Sequence, residues 1–480
     1  MATSLAPPPH PDAAGQLSPP PVPPADNRAR TWWNLAAITT IWVTSLGVVA
    51  VWVAGGGVQD LLVGGNQSLR TLGRITGLVS ANLLLYQVLL MARIPLFERG
   101  FGRDALLRGH RLIGMWSFTL MMAHIVLLVL GYALPVGMNP FVQLWDMIWT
   151  YPGMLLATAG TALIILVMIT SARRARRRLR YESWHLLHLY AYLGVGLAVP
   201  HMLWTGGDFL LSPVATAYWW TLWALAFASV LVFRVAVPLL RSWRHRVRVT
   251  HVEPDGVGGV RVRMKGRRMR ALRVRAGQFF VFRFRSGPGW TRGHPYSVAS
   301  APGGNTMEIA VRRIGDGTHA LADMPVGTRV LLEGPYGGMT GELRTGRRLL
   351  MIGAGAGITP LIALLGEQPY APGEAVLLVR DHDPAASLGL GDIARLQRER
   401  GLVHVPLPGP RARGESGWMP RTHEAWDGPT LLRYLAPGLD RPGEWDVYLC
   451  GPDPWMASLT RDLVAAGLPR EALHSESFSI

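Results

Sequence analysis

Residues 110–124 have the sequence HRLIGMWSFTLMMAH, and residues 188–201 have the sequence HLYAYLGVGLAVPH. Each stretch is mainly apolar and has a histidine at both ends. At about 1.5 Å of rise per helical residue, the two histidines of a stretch lie roughly 20 Å apart along a helix. Imidazole is costly to bury in lipid, so histidines at two depths of a membrane helix indicate a buried cofactor at each depth.

The rotation of about 100° per helical residue places the two histidines of the first stretch on nearly the same helix face, but not those of the second stretch. Fourteen steps of about 100° bring His124 back to within roughly 40° of the helix face that holds His110. Thirteen steps leave His201 far from the face of His188 on an ideal helix, so we expect a distortion at Pro200. One buried histidine is usually satisfied by neighbouring polar groups, whereas four at matching depths favour a role as metal ligands.

The composition divides the chain into two regions. Of its 480 residues, 49% are hydrophobic and 16% are charged. This is too apolar for one soluble domain and too charged in the second half for a protein confined to the membrane. Residues 1–31 are rich in Pro and Ala and lack apolar periodicity, so we expect a disordered tail. The single cysteine, Cys450, excludes intrachain disulfides and an iron–sulfur cluster with four cysteine ligands from this chain.

Six apolar segments follow the tail, and each is close to the roughly 20 residues that a membrane-spanning helix needs. They lie near residues 33–54, 70–92, 111–133, 153–171, 184–204 and 216–240. We therefore expect a six-helix transmembrane bundle over residues 32–240.

The distribution of arginine predicts the orientation of this bundle. Arginines cluster between segments two and three and between segments four and five, while the loops at 134–152 and 205–215 contain no Lys or Arg. By the positive-inside rule, the arginine-rich loops, both termini and the second half of the chain are cytoplasmic, in a multi-pass protein of the plasma membrane. The same clusters account for much of the formal charge of +17. We therefore expect no nucleic-acid partner.

With this topology His110 and His188 lie near the cytoplasmic face, and His124 and His201 lie nearer the outer face. Each level receives one imidazole from each helix. From residue 32 to residue 480 the sequence resembles the ferric reductase and NADPH oxidase family. The resemblance implies a membrane domain of six helices with two b-type haems, whose iron ligands are the same four histidines.

The second segment contains a charged residue, Arg74, about one and a half turns inside the membrane. A haem propionate is one candidate partner for its guanidinium, and a side chain that extends to the outer interface is the alternative. His185 is a spare histidine, which we expect at the membrane interface.

The sequence changes character after Arg241, where short alternating apolar runs are separated by Gly and Pro. This pattern predicts a small antiparallel β-barrel over residues 241–342. Three of its motifs together resemble the flavin-binding barrel of the ferredoxin-NADP reductase superfamily. The resemblance implies FAD, with the isoalloxazine and ribityl chain held by His294, Pro295, Tyr296 and Ser297. It implies that the pyrophosphate meets Arg312, Gly317 and Thr318, since a guanidinium and exposed backbone N–H groups bind phosphate well.

An apolar strand at 349–352 leads into the glycine-rich turn GAGAGITP, residues 353–360, and then into an apolar helix. The backbone N–H groups of such a turn and the following helix N-terminus bind a pyrophosphate. A second apolar strand follows at 375–379, so we expect residues 343–480 to form an α/β Rossmann-like NAD(P) domain. The candidate cofactor-binding residues of the turn are Gly353, Gly355, Gly357, Thr359 and Pro360.

Arg380 and Asp381 end the second strand, where the choice between the two nicotinamide cofactors is usually decided. Arginine would bind the 2′-phosphate of NADPH, and an acidic residue would bind the free ribose of NADH. Arg411 and Arg413 lie downstream as further candidate phosphate partners. We therefore expect NADPH, with Arg380 as a ligand, and NADH stays open.

A last apolar strand leads into Cys450-Gly451-Pro452, which resembles the nicotinamide-side motif of the same superfamily. The resemblance implies that Cys450 lies beside the nicotinamide ring, with Gly451 and Pro452 as cofactor-binding neighbours. It also implies that Phe478, near the end of the chain, covers the flavin until nicotinamide displaces it. The alternative for a lone cysteine at a strand end is a small buried hydrophobe.

These features predict a transmembrane oxidoreductase. NAD(P)H reduces FAD, two haems carry single electrons across the membrane, and an extracytoplasmic acceptor, ferric chelate or dioxygen, receives them. The alternative is a haem-flavoprotein membrane anchor that delivers electrons to a periplasmic or extracellular partner protein. The choice of acceptor and the oligomeric state, a homo-oligomer included, stay open.

Overall fold

The computed structural model describes residues 27–176, 178–179, 181–209, 213–287, 289–300, 303–414 and 416–477. Most of the predicted proline-rich tail lies outside these ranges, and so does Phe478. The described chain divides into two compact units, one over Arg28–Val237 and one from Pro238 onward.

Helices make up the first unit and extend into the start of the second. Their bounds are α1 (Asn27–Ala54), α2 (Gly57–Val63), α3 (Gly65–Met91), α4 (Pro95–Phe101), α5 (Arg103–Ala133), α6 (Pro140–Thr150), α7 (Met154–Ser171), α8 (Arg173–Arg176), α9 (Tyr181–Thr205), α10 (Pro213–Ser229) and α11 (Val237–His245). A π-helical stretch, Val230–Ala236, joins the last two. Helix α1 starts earlier than the expected residue 32.

Six of the described helical segments are long and apolar enough to cross a membrane, by length and composition. They are α1, α3, α5, α7, α9 and the continuous stretch Pro213–His245. The predicted number of membrane segments is therefore confirmed. Helix α9 continues without interruption through Pro200, so the expected distortion does not break it.

Glycines allow the helices that carry the histidines to pack closely against their neighbours. A Cβ atom placed on Gly77 of α3 would overlap the imidazole of His124 on α5, and a Cβ on Gly73 would lie 2.8 Å from the side chain of Leu128. Gly73 and Gly77 are one turn apart, the spacing of small residues at close helix contacts in membranes. On α7, a Cβ on Gly160 would lie 2.6 Å from the carbonyl oxygen of Gly194 on α9.

Two three-stranded antiparallel sheets follow, with strand orders β1-β2-β5 and β4-β3-β6. Their strands are β1 (Arg248–Pro254), β2 (Gly259–Lys265), β3 (Phe279–Phe284), β4 (His294–Ser297), β5 (Thr306–Arg312) and β6 (Val330–Tyr336), and the short helix α12 (Asp316–His319) follows β5. Both sheets contribute fully buried side chains to one core, such as Val262, Phe280 and Ile309. Instead of the continuous ladder of a closed barrel, the structure has an isolated bridge between Arg248 and Arg329. Irregular register in β1 and β3 bends these strands and accounts for the difference.

The remainder is an α/β domain around a five-stranded parallel sheet of order β11-β10-β7-β8-β9. Its elements are β7 (Arg348–Ala354), α13 (Ile358–Glu367), β8 (Ala375–Asp381), α14 (Leu390–Arg400), β9 (Val403–Pro408), α15 (Gly428–Leu435), β10 (Trp445–Gly451), α16 (Asp453–Ala465) and β11 (Leu473–Ser477). The predicted Rossmann-like organisation is confirmed. The strand order reverses between β7 and β10, and ligands of such sheets bind outside the carboxyl ends of the strands at this point.

Candidate functional site

The four membrane histidines meet in two pairs, each with one member on α5 and one on α9. The ring centroids of His110 and His188 are 5.9 Å apart, with 67° between the ring planes. Those of His124 and His201 are 6.4 Å apart, with 60° between the planes. The sequence therefore predicted correctly which histidines face each other.

Both distances fit a pair of imidazoles that share one metal ion. A metal–nitrogen bond of about 2 Å and a nitrogen-to-centroid distance of about 1 Å on each side give roughly 6 Å between the centroids. Two neutral imidazoles are a donor set that haem iron accepts in its axial positions. The residues present at each level therefore fit a haem ligated by two histidines.

Hydrogen bonds orient both rings of the outer pair. Nδ1 of His124 lies 2.8 Å from the carbonyl oxygen of Gly73, to which it can only donate. Nδ1 of His201 lies 2.6 Å from the hydroxyl oxygen of Thr205, and that hydroxyl lies 2.7 Å from the carbonyl oxygen of His201 and donates to it. The proton of each ring is thus on Nδ1, which leaves the Nε2 lone pair for a metal. Partners of this kind fix the tautomer of a ligating histidine and raise its basicity.

At the inner level only His188 has a weaker arrangement of the same kind, and the buried Nδ1 of His110 has no hydrogen-bond partner among the described residues. Nδ1 of His188 lies 3.2 Å from the hydroxyl oxygen of Ser171, the last residue of α7. The indole N–H of Trp184 donates to the same oxygen at 3.4 Å, and its ring lies over His188 with a centroid distance of 5.1 Å. Ser171 and Trp184 were not predicted as part of the site, because neither belongs to a recognisable motif.

Helix α3 supports α5 through polar groups at seven-residue spacing. Besides the contact of Gly73 with His124, the hydroxyl of Ser80 donates to the carbonyl oxygen of Ser117 at 2.6 Å. The amide of Gln87 donates to the hydroxyl of Ser117 at 3.0 Å. Ser117 lies seven residues from each histidine of α5, midway between the two levels. The repeat of small and polar residues along α3 is the sequence feature from which this support could have been predicted.

Arg74 has carboxylate partners that the sequence did not indicate. Its Nε donates to Asp208 at 2.8 Å, and a second guanidinium nitrogen donates to the other oxygen of the same carboxylate at 2.5 Å. Asp60 accepts from the remaining nitrogen at 3.2 Å, and Gln67 donates to Asp60 at 2.9 Å. The bidentate pair fixes the guanidinium of the residue that follows Gly73, the partner of His124, in the sequence. The predicted contact of Arg74 with a haem propionate stays a prediction.

The predicted flavin motif comes together at the start of β4. The rings of His294 and Tyr296 are stacked, with centroids 6.1 Å apart and 9° between their planes. A Cβ atom on Gly317 would lie 2.8 Å from the imidazole of His294, so only glycine allows the turn to approach this closely. Burial raises the pKa of Tyr296, which keeps the phenol neutral. Pro295 and Ser297 lie on the same strand, and Ser297 is buried.

Arg312 and Thr318 lie at the expected pyrophosphate site. The hydroxyl of Thr318 accepts from the backbone N–H groups of Ile314 and Gly315 at 2.9 and 3.0 Å, which shapes the turn. Arg312 donates to the carboxylate of Asp381 and, at 2.9 Å, to the carbonyl oxygen of Ala386. Its Nε is buried and has no hydrogen-bond partner among the described residues. This donor fits a phosphate oxygen of FAD.

The glycine-rich turn and the cysteine motif meet at the reversal point of the parallel sheet. Gly353 of β7 pairs in register with Cys450 of β10, and a Cβ atom on Gly357 would overlap the carbonyl oxygen of Cys450. Gly355 has φ +58°, a left-handed conformation that suits glycine. A Cβ on Gly451 would lie 2.8 Å from the ring of Trp455. The backbone of the turn therefore packs directly against the end of the sheet. This close packing is what a dinucleotide pyrophosphate site requires.

Three further predicted residues of this region are buried. The hydroxyl of Thr359 donates to the carbonyl oxygen of Ala310 on β5 at 3.4 Å, and Pro360 follows it in the first turn of α13. The thiol of Cys450 donates to the carbonyl oxygen of Glu476 at 3.2 Å. Burial raises the pKa of this thiol well above its ordinary value, and the charge of Glu476 raises it further. Cys450 is therefore a neutral group rather than a thiolate. Pro452, the last residue of the motif, is exposed and precedes α16.

Arg380, the predicted ligand of the 2′-phosphate, has its guanidinium directed to backbone carbonyl oxygens. It donates to Asp381 at 2.8 Å, to Leu407 at 3.1 Å and to Gly409 at 2.7 Å, and only 6% of the residue is exposed. Burial lowers the pKa of Arg380, and the nearby charge of Arg411 lowers it further. Arg380 thus ties the end of β8 to the end of β9. Its role in cofactor binding stays a prediction.

Two family models match separate parts of the chain. Residues 76–199 match the ferric reductase like transmembrane component, and residues 247–340 match an FAD-binding domain. The first range contains all of the metal-ligand candidates except His201, and the second contains the whole predicted flavin motif.

Each of three curated relatives matches less than half of the chain. Ferredoxin–NADP reductase B of Sorangium cellulosum is 30% identical over 202 residues, which are 40% of this chain and 80% of the relative. The heavy chain of a superoxide-generating NADPH oxidase from Dictyostelium discoideum is 25% identical over 230 residues, 43% of this chain and 41% of that protein. The heme-binding subunit of a protein-methionine-sulfoxide reductase from Klebsiella pneumoniae is 31% identical over 143 residues, 30% of this chain and 64% of that protein.

For the last two relatives the matched region is less than two thirds of the relative's own length. The membrane component and the flavin domain nevertheless occur here in one chain, in the order in which the two family models match it. The predicted resemblance to the ferric reductase and NADPH oxidase family is therefore confirmed, because a ferric reductase like transmembrane component is followed in one chain by an FAD-binding domain and a ferredoxin reductase-like NAD domain.

Proposed function

We propose that the chain is a transmembrane oxidoreductase that takes electrons from cytosolic NAD(P)H and delivers them to an acceptor outside the plasma membrane. FAD and two b-type haems are the carriers. The observation that carries the proposal is the pairing of four histidines at two depths, at centroid distances of 5.9 and 6.4 Å. One imidazole pair lies at each of two depths of the same bundle. Two haems held there would be two successive sites for electron transfer across the membrane.

Each part of the chain has a defined task in this function. Nicotinamide donates two electrons and haem iron accepts one, so the flavin is the group that separates the pair. His294 and Tyr296 form the stacked surface for the isoalloxazine, and Arg312 supplies a buried donor for the pyrophosphate. The backbone at Gly357 and Cys450 brings the nicotinamide cofactor to the end of the parallel sheet. No protein nucleophile or acid–base pair is required.

The donor that we propose is NADPH, with NADH as the alternative. The carboxylate of Asp381, which could bind the free ribose of NADH, instead accepts from Arg312 and from the hydroxyl of Ser387. Arg411 and Arg413 are exposed near the same end of the sheet, where a 2′-phosphate would lie. The local charge therefore favours the phosphorylated cofactor.

The acceptor that we propose is a ferric chelate, with dioxygen as the close alternative. The loops at 134–152 and 205–215, on the side of His124 and His201, are short and contain no Lys or Arg. Short loops leave the outer haem edge accessible to a bulky complex, whereas a closed oxygen site needs a larger cover. The same electron path serves either acceptor.

The haem count tests the electron path. Pyridine haemochrome analysis of the purified chain should give two haems per chain, and the spectrum should be that of low-spin iron. His124→Ala and His201→Ala should remove the outer haem and leave flavin reduction by NADPH intact. One haem or none in the unsubstituted protein would end the proposal of two successive sites.

A second experiment identifies the acceptor. Sealed vesicles with the dehydrogenase exposed receive NADPH, and both ferrous product from an enclosed, impermeant ferric chelate and superoxide are measured with and without dioxygen. We expect ferrous product in both conditions. Iron reduction that stops when dioxygen is absent or superoxide is removed would make dioxygen the direct acceptor.

A different class of function is supported by one comparison. The relative from Klebsiella pneumoniae is described as the heme-binding subunit of a protein-methionine-sulfoxide reductase, and it is 31% identical over its matched region. By analogy, the chain would be a haem-flavoprotein membrane anchor that delivers electrons to a periplasmic or extracellular partner protein. This alternative predicts that NADPH reduces both haems in purified protein while neither ferrous product nor superoxide forms.

A further inference from the structure

Helix α11 exposes its apolar side chains. Leu239, Leu240 and Trp243 have 59%, 62% and 69% of their surface exposed. These residues recur at the spacing of one helix face, so they form a continuous apolar strip. A helix on the surface of a soluble domain normally shows the opposite arrangement.

The polar face of α11 is the one that packs against the flavin domain. Arg241 donates to the carbonyl oxygen of Gly334, and the hydroxyl of Ser242 accepts from the backbone N–H of Leu332 at 3.1 Å. His245, at the end of the helix, is 3% exposed. The orientation of the apolar strip is therefore fixed by bonds on the other side of the helix.

A basic loop lies next to the end of this helix. The segment 265–275, which starts at the last residue of β2 and leads toward β3, has six basic residues and no acidic one: Lys265, Arg267, Arg268, Arg270, Arg273 and Arg275. All six are exposed. Within the described part of the chain, Arg275 forms an ion pair with Glu342 at 2.6 Å, and the other five form none. The positive-inside rule does not account for this loop, because it does not adjoin a membrane segment in the sequence.

Reciprocal hydrogen bonds join the loop to the helix. The backbone N–H of Arg267 donates to the carbonyl oxygen of His245 at 2.7 Å, and Nδ1 of His245 donates to the carbonyl oxygen of Arg267 at 3.0 Å. A Cβ atom on Gly266 would lie 2.9 Å from the same carbonyl oxygen of His245. The apolar strip of α11 and the basic loop 265–275 thus form one surface, here called the α11 surface.

A cavity of about 360 Å³ opens beside the loop. Arg270 and Arg273 line it together with Gly304 and Thr306. Val298, the residue after the flavin motif His294–Ser297, also lines it. A phosphate group that enters this cavity meets two guanidinium-bearing residues, which are suited to phosphate.

We propose that the α11 surface binds the anionic lipid headgroups of the bilayer leaflet at which the sixth membrane segment ends. Amphipathic helices with exposed Leu and Trp beside clustered Arg bind at the interface of anionic membranes. The segment Pro213–His245 has 33 residues, which at about 1.5 Å each exceed the roughly 30 Å hydrocarbon core, so its last turns reach headgroup depth. The identification of the leaflet as the cytoplasmic one rests on the proposed function.

Hydrogen exchange of the full chain in lipid nanodiscs tests the proposal. One set of discs contains phosphatidylcholine alone, and the other contains phosphatidylcholine mixed with phosphatidylglycerol. In anionic discs we expect the amides of residues 266–275 to exchange at least about fivefold more slowly, the effect of roughly one basic contact with the membrane surface. Raising the salt concentration should reduce this protection, because it screens exposed charges.

Matched variants separate a local effect from one of total charge. Arg268→Gln combined with Arg270→Gln should abolish the difference between the two lipid mixtures. Arg398→Gln combined with Arg433→Gln removes the same charge from exposed positions of α14 and α15 and should leave the difference unchanged. Equal loss in both double variants would overturn the proposal, since net charge alone would then explain the protection.

Two further outcomes decide against the proposal. Equal exchange in the two lipid mixtures would exclude a preference for anionic headgroups. Protection by inorganic phosphate or glycerol phosphate in phosphatidylcholine discs would identify a soluble anion as the ligand instead of the bilayer. Haem and FAD are counted in the same samples, so failure of the electron path would be detected independently of the exchange of the loop.

Discussion

The hydroxyl oxygen of Thr205 lies 2.6 Å from Nδ1 of His201, one helical turn away on the same helix. Because this hydroxyl donates its own proton to the carbonyl oxygen of His201, it accepts the proton of the imidazole. At the inner level, the corresponding distance between Ser171 and His188 is 3.2 Å. The histidine that α9 contributes to the outer level is therefore the more strongly hydrogen-bonded of the two.

Thr205→Val should raise the reduction potential of the outer haem. Loss of the acceptor makes His201 a weaker electron donor to iron, which destabilises the ferric state. A hydrogen bond of about 1 kcal/mol corresponds to a shift of about 40 mV for one electron. Spectroelectrochemical titration measures it, and Ser171→Ala should shift the inner haem by less.

Thr119→Val serves as the control for this prediction. Its hydroxyl is exposed on α5 and donates only to the carbonyl oxygen of Met115. We expect no change in either potential. Equal potentials in the protein with and without Thr205→Val would mean that the side chain orients the ring without tuning the iron.

Gly357→Ala should weaken nicotinamide binding while FAD content stays normal. The added methyl group would overlap the carbonyl oxygen of Cys450, so the turn must move away from the sheet. We expect the Kd for NADPH to rise at least tenfold, measured by rapid-reaction flavin reduction. Gly391→Ala is the control, because nothing lies within 4 Å of its Cβ position. An unchanged Kd would place the cofactor away from this turn.

Substitution of Arg380 should lower thermal stability, whereas substitution of Arg411 should change the preference between NADPH and NADH. Arg380→Ala removes the side-chain donor of three backbone carbonyl oxygens near the ends of β8 and β9, so it should lower the Tm by several degrees, equivalent to about 1–3 kcal/mol. Arg411→Ala removes an exposed charge and should reduce the preference for NADPH over NADH with little change in Tm. The ratio of kcat/KM for the two cofactors and a thermal unfolding curve check both statements. A cofactor switch in Arg380→Ala at normal Tm would contradict this assignment.

The thiol of Cys450 should resist alkylation in the folded protein. Burial and the charge of Glu476 raise its pKa, so the reactive thiolate does not form at neutral pH. In unfolded protein, labelling by iodoacetamide should increase steeply near the ordinary thiol pKa, whereas in folded protein the increase should occur only at higher pH. Mass spectrometry of the labelled peptide measures both rates. Rapid labelling of the folded protein at pH 7 would show that the thiol is accessible and ionised.

Sequence patterns predicted the helices, the strands and which histidines lie together, because these depend on local composition and spacing. The pairing of His110 with His188 follows from topology alone, since both lie at the same end of helices that run in the same direction. The Rossmann-like turn at 353–360 is likewise a local pattern of strand, glycine and helix. Both predictions required no knowledge of side-chain packing.

Contacts between elements distant in the sequence were not predictable in this way. Nothing in the sequence links Arg74 to Asp208, 134 positions later, or Arg312 to Asp381. Arg380 was predicted as a phosphate ligand from its position at the strand end. Its bonds to carbonyl oxygens of Asp381, Leu407 and Gly409 depend on how β8 and β9 end together, which a motif does not specify.

The seven-residue spacing of Gly73, Ser80 and Gln87 has a consequence for tolerated changes of chain length. A helix rotates by about 100° per residue, so a single insertion between Gly73 and Gln87 would turn one of these residues away from α5. Either the contact of Gly73 with His124 or a contact with Ser117 would then be lost while the rest remained. A whole added heptad would restore the rotational phase but would move the groups about 10.5 Å along the helix axis, so the contacts with α5 depend on the exact length of this part of α3.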